Sequence, residues 1–142
     1  MLNAIMRTLL RSPFHGLASK GMMLLTVTGR TSGRSYTFPV QYVADGGTLI
    51  VLPGRANTKT WWRNLRVPAP VRMRIRGRDV GGTAVAIVDP QDVAEGLRTY
   101  VRRFPRSAKS LGVAVLGAEG EMDPSALARA ATENVVVRID LG

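Results

Sequence analysis

Cysteine is absent from the 142 residues, which excludes disulfide scaffolds, thiolate catalysis and cysteine metal sites together. Histidine occurs once, at His15, so a multi-histidine metal site is excluded as well. A Ser-His-Asp triad would rest on that one residue, which sits among loop-like neighbours near the N-terminus. No metal site is expected. Acidic residues are scarce in one part of the chain only. Residues 1–80 hold thirteen Lys or Arg against Asp45 and Asp79, a balance of +11, whereas residues 81–142 hold seven basic and eight acidic residues, a balance of −1. Such a field favours anionic partners: phosphorylated cofactors, nucleic acid or acidic lipid. No run of about 18 apolar residues occurs, so no transmembrane helix is expected. The N-terminal apolar residues are interrupted by Arg7 and Arg11, so the continuous core of a signal peptide is missing. A cytoplasmic protein is the expectation.

What is there reads as one globular domain over residues 1–142, with 45% hydrophobic and 21% charged residues. Residues 1–20 read as an amphipathic helix with a lead-in. Leu2, Ile5, Met6, Leu9 and Leu10 share one face, Asn3, Arg7 and Arg11 the other, and Pro13 stops the helix. Residues 2–11 are thus a candidate for association with a membrane surface, with a short helix packed on the domain as the plainer reading.

Met22–Thr28 is an apolar, β-branched run that fits a buried strand. The turn Gly29–Arg34 follows, then Tyr36 to Val43 as a strand in which Pro39 marks an edge or a bulge. Asp45-Gly46-Gly47 signals a hairpin, with Leu49 to Leu52 returning. Thr58 to Arg66 reads as a short helix capped by Thr58. Val71 to Arg78 alternates, with Val71, Met73 and Ile75 on one face and Arg72, Arg74 and Arg76 on the other. A turn at Gly77-Arg78-Asp79 leads to a strand over Thr83 to Val88. Asp89-Pro90 opens a helix to Phe104, Asp123-Pro124 opens another to Ala131, and Asn134 to Asp140 is a final strand. The sum is a mainly β chain: about six antiparallel strands with two to four helices, arranged as a barrel.

Three constellations carry chemistry. In the turn, Gly29 and Gly33 let backbone N–H groups converge, and Arg30, Thr31, Ser32 and Arg34 add donors for an oxyanion; a plain strand-to-strand turn would look much the same. In the second, Arg55, Lys59, Arg63 and Arg66 bracket Trp61 and Trp62. Helical spacing puts Trp62 with Lys59, Arg63 and Arg66, and Trp61 with Leu65, so one tryptophan is expected in the core. The third is the arginine row Arg72, Arg74 and Arg76, which could track a polyanion, with a solvated outer face as the plainer reading.

Taken in order, Leu24-Leu25-Thr26-Val27-Thr28-Gly29-Arg30-Thr31-Ser32-Gly33-Arg34, Pro39-Val40-Gln41-Tyr42-Val43, Asp45-Gly46-Gly47 and Trp61-Trp62-Arg63-Asn64-Leu65 resemble the deazaflavin-dependent nitroreductase family, small split β-barrel proteins of actinobacteria with an FMN-binding-like fold. The resemblance implies coenzyme F-420, an 8-hydroxy-5-deazaflavin with a phosphate and an acidic oligoglutamate tail. Carried over by position, it implies coenzyme contacts at Arg30, Thr31, Ser32, Gly33, Arg34, Pro39, Val40, Gln41, Tyr42, Leu52, Pro53, Gly54, Arg55, Lys59, Trp61, Trp62 and Asn64. The loop Pro53-Gly54-Arg55 is one residue shorter than the family's Ser-Lys-Gly-Gly type, which leaves the lysine's charge to Arg55 or Lys59. The family's C-terminal tyrosine segment has no counterpart in residues 105–133.

The activity implied is hydride transfer from the reduced coenzyme to a quinone, an activated alkene or a nitroaromatic acceptor, by a monomer or homodimer. Tyr42, Tyr100 and Ser32 are the candidates for hydrogen bonding or proton donation. Two other readings remain: an FMN-binding split barrel, and a nucleic-acid module using the arginine row with the tryptophans as a stacking platform. The sparse aromatics, 6% of the chain, speak against the latter.

Overall fold

The computed structural model describes residues 21–53, 61–113, 115–116 and 121–142. The N-terminal helix expected over residues 2–11, His15, the cap Thr58 and the site candidates Gly54, Arg55 and Lys59 lie outside the described residues. Among those described, no helix is long and apolar enough to cross a membrane.

Six strands close a barrel in the order β1-β2-β3-β8-β5-β4. They are β1 (Met22–Thr28), β2 (Ser35–Asp45), β3 (Thr48–Val51), β4 (Ala69–Ile75), β5 (Arg78–Ile87) and β8 (Val136–Leu141), all paired antiparallel. A one-turn 3-10 helix, Trp61–Leu65, joins β3 to β4. Three helices follow: α1 (Pro90–Arg103), α2 (Ser107–Ser110) and α3 (Pro124–Glu133), with a minimal hairpin of β6 (Val115–Leu116) and β7 (Glu121–Met122) between the last two. Asp89 and Asp123 cap α1 and α3 through the backbone N–H groups of Asp92 and Ala126, with Pro at the first turn of each.

The alternation of each strand divides its side chains between two cores. Inside the barrel lie Met23, Leu25, Val27, Leu49, Val51, Val71, Met73, Val137 and Ile139, with Trp62 and Leu65 of the 3-10 helix. Outside, Val43, Ile50 and Val136 meet Val93, Leu97 and Tyr100 of α1 and Leu127, Ala130 and Ala131 of α3. The expected apolar side of α1 is therefore the buried one.

Pro39 sits where the sequence reading put an edge. Residues Ser35 to Gln41 of β2 pair with β1, and only Tyr42 to Asp45 pair with β3. The Tyr42 N–H donates to the Gly21 carbonyl at 2.9 Å, and the alternation of antiparallel bonding from that pair turns the Pro39 nitrogen away from β1. On that side no strand among the described residues pairs with it, so the missing donor breaks no ladder bond there.

Two expectations are corrected. The turn after β4 is Arg76-Gly77, both at positive φ (50° and 80°), with Ile75 paired to Arg78. This is the two-residue hairpin geometry that matches strand twist, and it lets β5 begin at Arg78 rather than Thr83. Arg76 thereby leaves the arginine row for the turn. Arg74 pairs across the strands with Asp79 at 3.0 Å, and Arg72 stays exposed. The continuous basic track is not formed.

Two glycines are set by close approach. A Cβ at Gly96 in α1 would lie 2.9 Å from Val136 Cγ2, and one at Gly82 in β5 would lie 2.7 Å from the Asp140 carbonyl oxygen. Gly96→Ala is expected to lose stability although alanine favours helices by about 1 kcal/mol. Gly82→Ala, which meets backbone, is expected to cost more, about 2–3 kcal/mol. Urea denaturation of the two variants checks both sign and order.

Candidate functional site

The Gly29–Arg34 turn is tied down by its own atoms. Gly29 N–H donates to the Arg34 carbonyl at 2.8 Å and Gly33 N–H to the Gly29 carbonyl at 3.0 Å. Arg34 N–H donates to Ser32 Oγ at 3.2 Å. Arg30 N–H donates to Asn64 Oδ1 at 3.0 Å, while Asn64 Nδ2 donates to the Trp61 carbonyl at 3.1 Å. Asn64 is thus the clamp between turn and 3-10 helix, 34 residues apart in sequence. Of the turn's backbone donors, the N–H groups of Gly29, Arg30, Gly33 and Arg34 are thus spent on the protein. The turn also presents the exposed guanidinium groups of Arg30 and Arg34, with Thr31 and Ser32 between them. Among the described residues the ion pairs are Arg74–Asp79 and Arg138–Asp140, so neither turn arginine has an acidic partner there.

The tryptophans separate in depth, but not as helical spacing predicts. A 3-10 turn has about three residues per turn, so Trp62 shares a face with Leu65 and Trp61 with Asn64. Trp62 is 7% exposed and belongs to the barrel core, with the Arg63 and Arg66 guanidinium groups 5.7 and 5.6 Å from its ring centroid. Trp61 is half-buried and packs against Phe38 at 5.0 Å between centroids. The two rings do not form a common platform for stacking bases.

Strand β2 presents the remaining candidates on two faces. Phe38, Val40 and Tyr42 pack against the barrel core beside Trp61. Pro39 and Gln41 point to the outside, and Gln41 lines a cavity of about 570 Å³ between the barrel and the end of α1. Leu52 lines it too, so two residues of the family-implied set meet Tyr100 here. Tyr100 donates its hydroxyl to Gln41 Oε1 at 2.6 Å. Burial pushes the Tyr100 phenol up to about 12. Its ring packs on Phe104 at 5.3 Å, and Arg103 lies over the outer side of Phe104 at 4.8 Å. Arg106, Ser107 and Ser110 complete the wall. Tyr42 and Tyr100 therefore stand on opposite sides of β2. Ser32, 3.4 Å from the Tyr36 hydroxyl, belongs to the turn and to neither face.

Arg103, Phe104, Arg106, Ser107 and Ser110 escaped the sequence reading. They reach the cavity because α1 runs back along β2, about sixty residues downstream, and Pro105 turns the chain into α2. The one local signal was the basic last turn of α1, Arg102-Arg103.

The family model described as F420H(2)-dependent quinone reductase matches residues 8–110. The chain belongs to that family. It is accordingly an F-420-dependent oxidoreductase, and its matched span holds the turn, the clamp and nearly all of the cavity wall. Solved structures agree on the split barrel. An F420-H2 dependent reductase called FDR-A is 15% identical, with 84% of this chain and 94% of that chain covered and a TM-score of 0.58. A putative 5-nitroimidazole antibiotic resistance protein from Bacteroides thetaiotaomicron is 12% identical over 88% and 75%, TM-score 0.53. An FAD and heme binding protein from Mycobacterium smegmatis is 13% identical over 92% and 67%, TM-score 0.55. At such identities the likeness is one of fold. No curated protein matches the chain.

The Tyr100 phenol is testable directly. Because its pKa is raised from 10.0 to about 12, the folded state holds the proton more tightly than the unfolded one. Its contribution to stability is full below pH 10 and is lost as pH rises through 12. Tyrosinate absorbance should contain a step near pH 12 that Tyr100→Phe removes.

Proposed function

We propose that this F-420-dependent reductase passes a hydride to a quinone, an activated alkene or a nitroaromatic compound, and that the 570 Å³ cavity is where the two reactants meet. The observation that carries the reading is the convergence at one cavity of Gln41 and Leu52, implied by the family motifs, with Tyr100 and Arg103, brought by α1. A volume of this size lies in the usual range for small-molecule sites.

The residues fit an anionic, planar coenzyme. Arg30 and Arg34 are exposed, carry no acidic partner among the described residues, and are assigned to the phosphate and carboxylates of the tail. Thr31 and Ser32 stand between them, and Asn64 keeps the turn at a fixed distance from the 3-10 helix. Gly54, Arg55 and Lys59 follow β3 in the same assignment. Phe38, Val40 and Tyr42 of β2, with Trp61, pack against the barrel core, while Leu52 and Phe104 supply flat apolar wall in the cavity.

When bound, reduced F-420 supplies the hydride from its C5 carbon. The chain's own part is to bind, orient and polarise. Arg103 and Arg106 line the cavity and favour an acceptor that gathers negative charge as it is reduced. Tyr100, neutral to about pH 12, holds its proton as a hydrogen-bond donor and does not release it at working pH. The proton that completes reduction of the acceptor comes from solvent through the open cavity mouth.

Titration of the purified protein with oxidised and reduced F-420, FMN and FAD, followed by assays with menadione, a cyclic enone and a nitroaromatic compound, tests the reading. Tight F-420 binding and reduction of at least one acceptor are expected; FMN binding tighter than F-420 overturns it. Replacing Arg30 and Arg34 together by Ala is expected to weaken F-420 binding about tenfold and to flatten its dependence on salt.

A further inference from the structure

Gln41 has its amide oxygen engaged, while no bond within the described residues takes its nitrogen. Its Oε1 accepts the Tyr100 hydroxyl at 2.6 Å, a bond between β2 and α1 across 59 residues. An amide fixed at its oxygen has its –NH₂ turned the opposite way, and that group is a donor only. Gln41 lines the cavity, and among the described residues no protein acceptor takes its nitrogen. The other polar groups on the wall are Arg103, Arg106, Ser107 and Ser110, while Leu52 and Phe104 are apolar. Among the described residues the positioned amide is therefore a donor with no protein acceptor, beside apolar wall. A ligand that reaches it gains by bringing an oxygen lone pair and loses by bringing a hydrocarbon edge.

We propose that Gln41 is a specificity-determining donor to a ring-carbonyl or nitro oxygen in this cavity, and that Tyr100 is the residue that positions it. The inference rests on the cavity being the reaction site. Two sources present that oxygen: the acceptor, and the carbonyl-bearing ring of the deazaflavin. The donor role needs no ionisation, and the phenol that sets it stays protonated up to about pH 12.

The test separates binding from turnover. Equilibrium dialysis of the purified chain without coenzyme compares menadione with 2-methylnaphthalene, which has the same two rings and methyl group but no oxygen. Oxidised F-420 is titrated in parallel. The unaltered protein is expected to prefer menadione at least tenfold. Gln41→Leu is expected to remove that preference, and Gln41→Glu, which keeps the shape and the Tyr100 bond but replaces both donors with lone pairs, to remove it as well. Tyr100→Phe keeps the ring packing on Phe104 and is expected to reduce the preference several-fold while leaving 2-methylnaphthalene binding unchanged. If instead the Gln41 variants lose about tenfold in F-420 affinity and keep their menadione preference, the oxygen read is the coenzyme's. Gln41→Leu and Gln41→Glu proteins that fold by circular dichroism and bind all three ligands like the unaltered chain overturn the proposal. Menadione reduction with reduced F-420 is read separately. A protein that shows the Gln41-dependent preference but no turnover counts against the function reading and leaves the donor assignment standing.

Discussion

The seating of α1 on β8 is the constraint on which the site depends. Gly96 meets the Val136 side chain at a distance no Cβ could share, and it lies one helical turn before Tyr100. Once that contact is made, the helix axis is fixed against the barrel wall. Tyr100 then reaches Gln41 at 2.6 Å, and Arg103 and Phe104 fall beside the cavity mouth. β8 in turn lies between β3 and β5 and closes the barrel. The last strand of the chain thus positions a helix whose working end faces the second strand. Neither partner is close to the other in sequence, and a half-ångström change at Gly96 would be carried to the Tyr100 hydroxyl.

Much of the frame was legible in the residues. The run Met22–Thr28 is the strand the structure shows, because β-branched and large apolar side chains suit a wall packed on both sides. Asp-Pro pairs announced both long helices, since the carboxylate accepts from the first free N–H groups and proline needs no donor there. Pro39 was readable as an edge because only an unpaired side tolerates a missing donor. The errors have equally physical sources. Arg76 in a left-handed turn defeats any rule that reserves that region for glycine, and the Gly81-Gly82 pair hid the middle of β5. The period used for the Trp61–Leu65 segment was that of an α-helix, whereas a single tight turn repeats every three residues. Of the site, motif order gave Gln41 and Leu52, and periodicity gave Tyr100 as a buried helix residue. Their meeting was not legible, because it depends on how α1 crosses the barrel.

The charge map also changes meaning in three dimensions. As a sequence, thirteen basic residues in eighty suggest a continuous track for any polyanion. In the fold they sort by partner. Arg74 is spent on Asp79, Arg63 and Arg66 lie over the buried Trp62, and Arg76 is drawn into a hairpin turn. Arg30 and Arg34 remain exposed at one end of β2, and Arg103 and Arg106 gather at the cavity six strand residues further along, about 20 Å away. Exposed arginines beside the start of β2 and others on the cavity wall suit a long ligand with a charged tail better than a uniform rod of phosphates.

Among the described residues, half of β2 has a strand on one side only. A strand with a bare side is ordinarily an invitation to another chain, which can dock by continuing the ladder of backbone bonds. Pro39 sits in the middle of that stretch with no N–H to give. A foreign strand laid there would lose its central rung. The proline therefore weakens any ladder that a foreign strand could build along this stretch, and the sheet carries its own guard against extension there.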